Sequence, residues 1–504
     1  MKIFSAEVIR QWDQYTIANE PIASIDLMER AASQCVKWLE ENEYTGKRFV
    51  IFCGKGNNGG DGLAIARMLL EKEYDVIVYI LELNHKGSSD FQANLAKLEK
   101  LPIDILPIQT EKNFPSFAEG DIIIDALWGS GLDRPLDGIA IQLVEQINES
   151  GCEIISIDVP SGLFVDRSSK GNTIIKATHV LSFQTYKLAF LVAENAAFAG
   201  QIHILDISLH TGFYKSANTD YELIDDIIIK SIYKPRKKFA HKGNFGHSLI
   251  VAGSYGKMGA AVLAAKACLH SGAGLLTCHI PKCGYDIMQS SVPEAMVMTD
   301  FNSSFLTKIE DDIKKYDAVG IGPGIGGASE TKTLIKDVFD NYHHPVVIDA
   351  DALNIIAAQK YLLRPIPPQS IITPHPKEFE RLFGETANDF DKIEMAIHKA
   401  KELNIIIVLK GHHTLIATPE GKIFFNSTGN AGMAKGGSGD VLTGILTALL
   451  SQGYNSIETA ILGVYLHGLA GDIAAKEFSM EAMTATDIIK NLGEAFKNIN
   501  PITA

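Results

Sequence analysis

The sequence predicts an α/β protein of two domains, and three observations carry this. At 504 residues the chain exceeds one ordinary domain. Short apolar runs alternate with helical patterns, first from residue 48 to 158 and again from 247 to 409. Most runs end in glycine or polar residues, which is how parallel sheets build a cleft at their carboxyl ends.

In the first half, Arg48–Cys53 (RFVIFC) reads as a buried strand. The glycine-rich GKGNNGGDG follows as a loop, then a helix through Leu63, Ala66, Arg67 and Leu70. Asp75–Leu81, 121–126 (DIIIDA) and 153–158 (EIISID) are further strands. Strands so spaced, with helices between, imply right-handed crossovers and a Rossmann-like, doubly wound parallel sheet. Composition then shifts across 218–242, where YELIDDIIIKSIY gives way to KPRKKFAHKGNFGH. This basic, turn-rich run reads as a solvated junction, and the domains are set at 1–220 and 221–504. The second half adds strands at 247–252, 317–321, 345–348, 370–373 and 405–409, leading into GSYGKMGAA, GPGIGG, DADALN, PHPKEFERLFG and KGHHT. No motif repeats between the halves.

An apolar content of 46% with 21% charged residues is ordinary for a soluble globular chain. The net charge of −14 argues against a nucleic-acid surface, though not against anionic small ligands. The six cysteines (Cys35, Cys53, Cys152, Cys268, Cys278, Cys283) include no Cys-x-x-Cys, as expected of free thiols in a reducing compartment. The N-terminus lacks the apolar core of a signal peptide, and no apolar run approaches the ~20 residues of a membrane span. A cytoplasmic location is expected.

The densest chemical signal is NAGMAKGGSGDVLTG, Asn430 to Gly444. Bare backbone at Gly436, Gly437 and Gly439 can close on an anion, with the positive end of the following helix behind it. Lys435 and Asn430 add to a phosphate-binding reading. Asp440, in the first turn, would then sit beside an anion, which suggests a proton acceptor; the competing reading is a helix cap. Asp349 and Asp351 in DADALN suit Mg²⁺ or its waters, or merely begin a helix. His375 is held between two prolines. Lys410 and Thr414 suit phosphate contacts or a surface turn. No G-x-x-x-x-G-K-[ST] occurs.

In the first half, Gly54, Gly56 and Gly59 satisfy G-x-G-x-x-G, and Glu82 ends the next strand, so a Rossmann dehydrogenase is a rival. Against it, Asn57, Asn58 and Asp61 put polar side chains where a pyrophosphate cradle needs none. Asp125 and Asp158 stand at strand ends, as proton carriers or as turn caps.

These motifs carry a resemblance. The strand ends with the late GGSGD loop resemble the ribokinase-like superfamily. HKGNFGHSLIVAGSYGKMGAA, GPGIG, DADALN, TPHPKEFERL, VLKGHHT and NAGMAKGGSGDVLTG, from about Lys238 onward, closely resemble ADP- or ATP-dependent NAD(P)H-hydrate dehydratases. LMERAA, GNNGGDG, GSGLDRPL and DVPSG, within about residues 1–215, resemble NAD(P)H-hydrate epimerases. The resemblance implies a bifunctional enzyme of metabolite repair. It implies that Asn57, Asn58, Gly59, Gly60 and Asp61, with Gly129, Ser130, Gly131, Leu132, Asp133, Arg134 and Pro135, bind the hydrated nucleotide. Asn58, Asp125 and Ser161 would hold K⁺, and Asp158 would contact substrate and act as base. In the second domain it implies Ala260, Gly324, His375 and Asp440 for the hydrate. Lys410, Gly411, His412, His413, Thr414, Asn430, Gly436, Gly437, Ser438 and Gly439 would bind ADP, with Mg²⁺. It further implies a homo-oligomer. ADP is expected over ATP. The alternative is a small-molecule kinase behind a Rossmann-type sensor.

Overall fold

The structure, a computed structural model, describes residues 1–82 and 86–500. The chain forms two compact units: Lys2–Thr219 with Asn388–Phe390, and the remainder from Asp220 onward with Met1.

The first unit holds a seven-stranded sheet: β1 (Arg48–Cys53), β2 (Asp75–Leu81), β3 (Ile105–Ile108), β4 (Ile122–Ala126), β5 (Glu153–Ile157), β6 (His179–Phe183) and β7 (Gln201–Leu205). Its order is β3-β2-β1-β4-β5-β6-β7, with every neighbouring pair parallel. Alternate residues of β1 feed two separate cores, Phe49, Ile51 and Cys53 on one face and Val50 and Phe52 on the other. A strand buried on both faces reads as a continuous apolar run, which is why β1 was legible. Strand β3 (ILPI) was not, because it carries a proline; as an edge strand it tolerates one. Strand order reverses between β1 and β4, so their carboxyl ends open a crevice.

The NNGGDG segment, expected as loop, is already helical: the helix runs Asn57–Glu71 with Gly56 as its N-cap. Its glycines allow contact that a side chain would block. A Cβ at Gly59 would lie 1.7 Å from the Gly54 carbonyl oxygen.

The second unit holds ten strands: β8 (Tyr221–Leu223), β9 (His247–Val251), β10 (Leu275–Ile280), β11 (Met296–Thr299), β12 (Ala318–Ile321), β13 (Val346–Ile348), β14 (Ile371–Ile372), β15 (Ile406–Leu409), β16 (Leu415–Ala417) and β17 (Ile423–Phe425). The order is β11-β10-β9-β12-β13-β14-β15-β16-β17-β8, parallel except for the antiparallel β15–β16 and β16–β17 pairs. Strands β8, β16 and β17 span three residues each, too few to show a period. Because β8 pairs with β17, the change of unit falls at Thr219/Asp220, and the basic run lies inside the second unit. Behind the sheet, Ser438–Ser451 and Ser456–Ala482 share one core through Val441, Ile445, Leu449, Leu462 and Leu466. That packing anchors the helix whose first turn carries Asp440. Among the described residues no helix is long and apolar enough to cross a membrane.

Candidate active sites

The first cleft, of about 350 Å³, lies at the carboxyl ends of β1, β4, β5 and β6 and is lined by Asn57, Asn58, Asp61, Gly129, Ser130, Gly131, Leu132 and Asp158. Beneath it Asp125 is fully buried. Its carboxylate accepts hydrogen bonds from the Ser161 amide (2.9 Å) and hydroxyl (2.5 Å), the Ser156 hydroxyl (2.7 Å) and the Leu127 amide (3.3 Å). Burial still raises its pKa, although these bonds oppose the shift. Asn58 is buried with neither its amide oxygen nor its nitrogen partnered. Such groups cost stability unless a ligand meets them. Gly129 closes against it; a Cβ there would lie 3.1 Å from both Asn58 Cγ and Asp158 Oδ2. Asp133, Arg134 and Pro135 are not among the lining residues. Glu82 pairs with Lys55, and the rival ribose-binding role loses its free carboxylate.

Asp158 adopts a left-handed backbone (φ 64°), strained for a residue with a side chain. Its Oδ2 accepts the Ser130 amide (3.0 Å), and its Oδ1 meets Lys187 Nζ at 2.9 Å. The Lys187 ammonium is 1% exposed and also donates to the Ser182 hydroxyl (2.7 Å) and the Phe183 carbonyl (2.8 Å). Burial works to raise the Asp158 pKa, but Lys187 and Ser130 outweigh it and hold the carboxyl below its ordinary value. Asp158 is thus tied by both carboxylate oxygens, to Lys187 and to the Ser130 amide. The sequence reading missed Lys187. Its signal was a lone lysine inside the apolar stretch TYKLAFLV. It also missed Asp13, which lines the same cleft.

The second cleft, of about 610 Å³, is lined by His375, Lys410, Gly411, His412, Thr414, Asn430, Gly436, Ser438 and Gly439, among others. Gly437 caps the helix in a left-handed conformation (φ 96°), which favours glycine. Asp440 follows in the first turn and is not the cap. Burial, then the nearby Asp349 carboxylate, push its pKa up to about 6 against the pull of Lys410. Lys410 Nζ binds Asp349 Oδ1 at 2.8 Å and approaches Glu378 at 4.0 Å. Burial disfavours its charge, but Asp349, Glu378 and Asp440 outweigh that and raise its pKa. The Thr443 hydroxyl donates to Asp349 Oδ2 at 3.0 Å. A Cβ on Gly439 would meet Asp349 and Lys410 at 3.4 and 3.5 Å, so this pair lies directly under the glycine loop.

His375 is the N-cap of Pro376–Phe383; its Nδ1 accepts the Lys377 and Glu378 amides at 3.1 and 3.4 Å. That leaves Nε2 to the cleft side, 3.5 Å from Glu378 Oε1. Gly324 (φ 64°) abuts Ala260: a Cβ there would lie 3.1 Å from the Ala260 methyl. Asp349 and Asp351 do begin a helix, Ala350–Ala358, and both are partnered, Asp351 by Lys257 (3.1 Å) and the Gly326 amide (2.9 Å). Among the described residues no group of three His, Cys, Asp or Glu is placed to hold a metal ion. Lys435 lines the second cleft while its ammonium donates to the Glu481 and Met483 carbonyls, and His413 Nδ1 lies 3.1 Å from the Asn426 carbonyl. Two unforeseen residues hold the loop. Asp472 accepts the Gly429 amide and the Asn430 side chain, each at 2.9 Å. His467, buried and held near pKa 4 by that burial, meets the Ser438 hydroxyl at 3.2 Å.

A Rossmann-like crevice lined by aspartates, joined in one chain to an α/β unit whose glycine loop runs into an aspartate, defines a two-domain α/β enzyme with a polar cleft in each unit. Family models agree: residues 248–494 match NAD(P)H-hydrate dehydratase, and residues 24–189 match the YjeF-related protein N-terminus. The bifunctional NAD(P)H-hydrate repair enzyme of Moorella thermoacetica is 34% identical over 99% of this chain and 97% of its own length. That of Escherichia coli K12 is 30% identical over 97% and 93%. A ribokinase-like superfamily protein of Enterococcus faecalis V583 superposes with a TM-score of 0.50 at 28% identity, covering 56% of this chain and 98% of the other. The chain belongs to the bifunctional NAD(P)H-hydrate repair enzymes.

Proposed function

We propose that the two units work in series on NADH or NADPH hydrated at C6 of the nicotinamide ring. The first unit interconverts the R and S hydrates. The second dehydrates the S hydrate with ADP, releasing AMP and phosphate. Asp440 takes the proton of the C6 hydroxyl as that oxygen attacks the terminal phosphoryl and AMP leaves; the C6–O bond then breaks with its pair going to phosphate, and a C5 proton leaves to solvent so that its C–H pair forms the C5=C6 double bond. The observation that carries this is the placement of Asp440 in the first turn after the left-handed Gly437, next to Gly439, which abuts Asp349 and Lys410. A carboxyl pushed up to about 6 still ionises at neutral pH and is a stronger base than an ordinary aspartate. The backbone amides of Gly436, Gly437 and Gly439, with Lys410, stabilise the transferring phosphoryl.

Mg²⁺ would arrive on the nucleotide phosphates and keep several waters, which suits a site without a cage of protein ligands. For K⁺, the buried, unpartnered Asn58 amide oxygen fits a cation that takes oxygen ligands, and Asp125 and Ser161, bonded to each other, are the further oxygen donors proposed. Six free cysteines fit a reducing compartment, taken to be the cytoplasm. The working form is taken to be a homo-oligomer. The test is Asp440→Asn: dehydration with ADP is expected to vanish, while ADP binding and epimerisation persist. Dehydration that survives the substitution removes Asp440 as the base.

A further inference from the structure

One wall of the first cleft comes from a helix ahead of the matched residues 24–189. Ala6–Asn19 presents Ala6, Ile9, Arg10 and Asp13 to the cavity, a stripe at helical spacing. Arg10 is paired with Glu7 at 2.9 Å. Asp13 makes no hydrogen bond or ion pair among the described residues, although it is half-buried. Asp158, on the strand-end wall, is committed to Lys187, whose three ammonium protons are all placed. An epimerisation needs a group that can both take and return a proton, and neither member of that pair is free to do so.

We propose that Asp13 is the proton-carrying carboxyl of the epimerase site, while Asp158, locked by Lys187, only orients the hydrate. This rests on the epimerase reading of the cleft. The hydrate is a hemiaminal at C6. The ionised Asp13 takes the C6 hydroxyl proton, and the freed oxygen pair forms the aldehyde C=O as the C6–N1 bond breaks. The C6–N1 pair moves to N1, which receives the same proton back from Asp13. Rotation about C5–C6 and the reverse sequence on the other face give the opposite hydroxyl configuration, with no net change in protons or electrons.

The groups facing Asp13 are Arg10 on its own helix, Asp61 on the Asn57 helix, and Asp158 and Lys187 on the loops after β5 and β6. Burial, then the Asp158 charge, push Asp13 up to about 7 against the pull of Lys187, which suits an exchange in both directions near neutrality. Burial, then the Asp158 and Asp13 charges, push Asp61 well above its ordinary value.

The test follows R-to-S interconversion of NADH hydrate by chromatography with the full-length enzyme and no nucleotide. Asp13→Asn should slow it at least about 100-fold, the scale of general acid–base catalysis, and leave ADP-dependent dehydration of the S hydrate unchanged as a folding control. In the wild type kcat/KM should fall as pH drops through about 7, because Asp13 loses its base form. That limb should vanish in Asp13→Asn and move in Asp13→Glu, which retains activity. Interconversion within about threefold of wild type in Asp13→Asn, or an unchanged limb, overturns the proposal. A wild-type enzyme that interconverts nothing overturns both this proposal and the epimerase reading, whereas an inert Asp13→Asn beside an active wild type supports both.

Discussion

The two clefts share a plan and differ in charge. Each opens at the carboxyl ends of parallel strands, where a glycine-rich segment enters a helix. In the second, Gly437 turns the chain and frees amides for an anion, and Lys410 adds a cation beneath. In the first, the glycines serve packing: Gly59 lies against Gly54 with no room for a Cβ. There the polar groups are Asn58, Asp61, Asp13 and Asp158, with one buried cation, Lys187, already taken. The same loop grammar thus yields a phosphate site in one unit and a proton-handling site in the other. What decides is which side chains stand around the glycines.

The largest expected effect separates the sites. Asp440→Asn should lower ADP-dependent dehydration by about 10²–10⁴-fold without altering epimerisation, measured on each hydrate separately. Equal loss of both activities would break the comparison. Next, Lys187→Met leaves Asp158 as an uncompensated buried charge. It should cost about 3–5 kcal/mol in urea unfolding of the first unit and suppress epimerisation while dehydration persists. A smaller effect is expected from Asp472→Asn, which keeps one acceptor but cannot serve both Gly429 and Asn430. About tenfold in KM for ADP, with kcat little changed, matches the loss of one charge-assisted hydrogen bond.

The smallest effect concerns pH. Asp440 must be ionised to act, so dehydration should fall as pH drops through about 6. The linked stability has the opposite sign. A carboxyl whose folded pKa is raised binds its proton more readily when folded, so stability falls as pH rises from about 4 through about 6 and stays lower above that. Asp440→Asn should therefore gain on the order of 1 kcal/mol at pH 8 and nothing at pH 3, read from urea midpoints.

Much of this was legible in the sequence, for physical reasons. Strands buried on both faces, such as Arg48–Cys53, announce themselves as apolar runs, and glycine loops at strand ends mark where ligands approach. The short edge elements β3, β8, β16 and β17 did not, since three or four residues hold no period. At the sites, residues within motifs were found and those that support them from elsewhere were not. Lys187 lies in an apolar stretch, Asp472 and His467 in the middle of a long helix, and Asp13 on the first helix beside the buried Trp12. A charged residue on a stripe that should be buried was the available signal. The partner of Asp158 was hidden for the same reason, because Lys187 is distant in sequence but 2.9 Å away.

The most direct measurement is recovery of the reduced-nicotinamide absorbance from a mixed R/S hydrate of NADH with Mg²⁺, K⁺ and ADP. Full recovery by the wild type, and recovery of none by Asp440→Asn, is expected. Recovery that stops once the S hydrate is spent would contradict an epimerase in the first unit, and no recovery at all would contradict the dehydratase in the second.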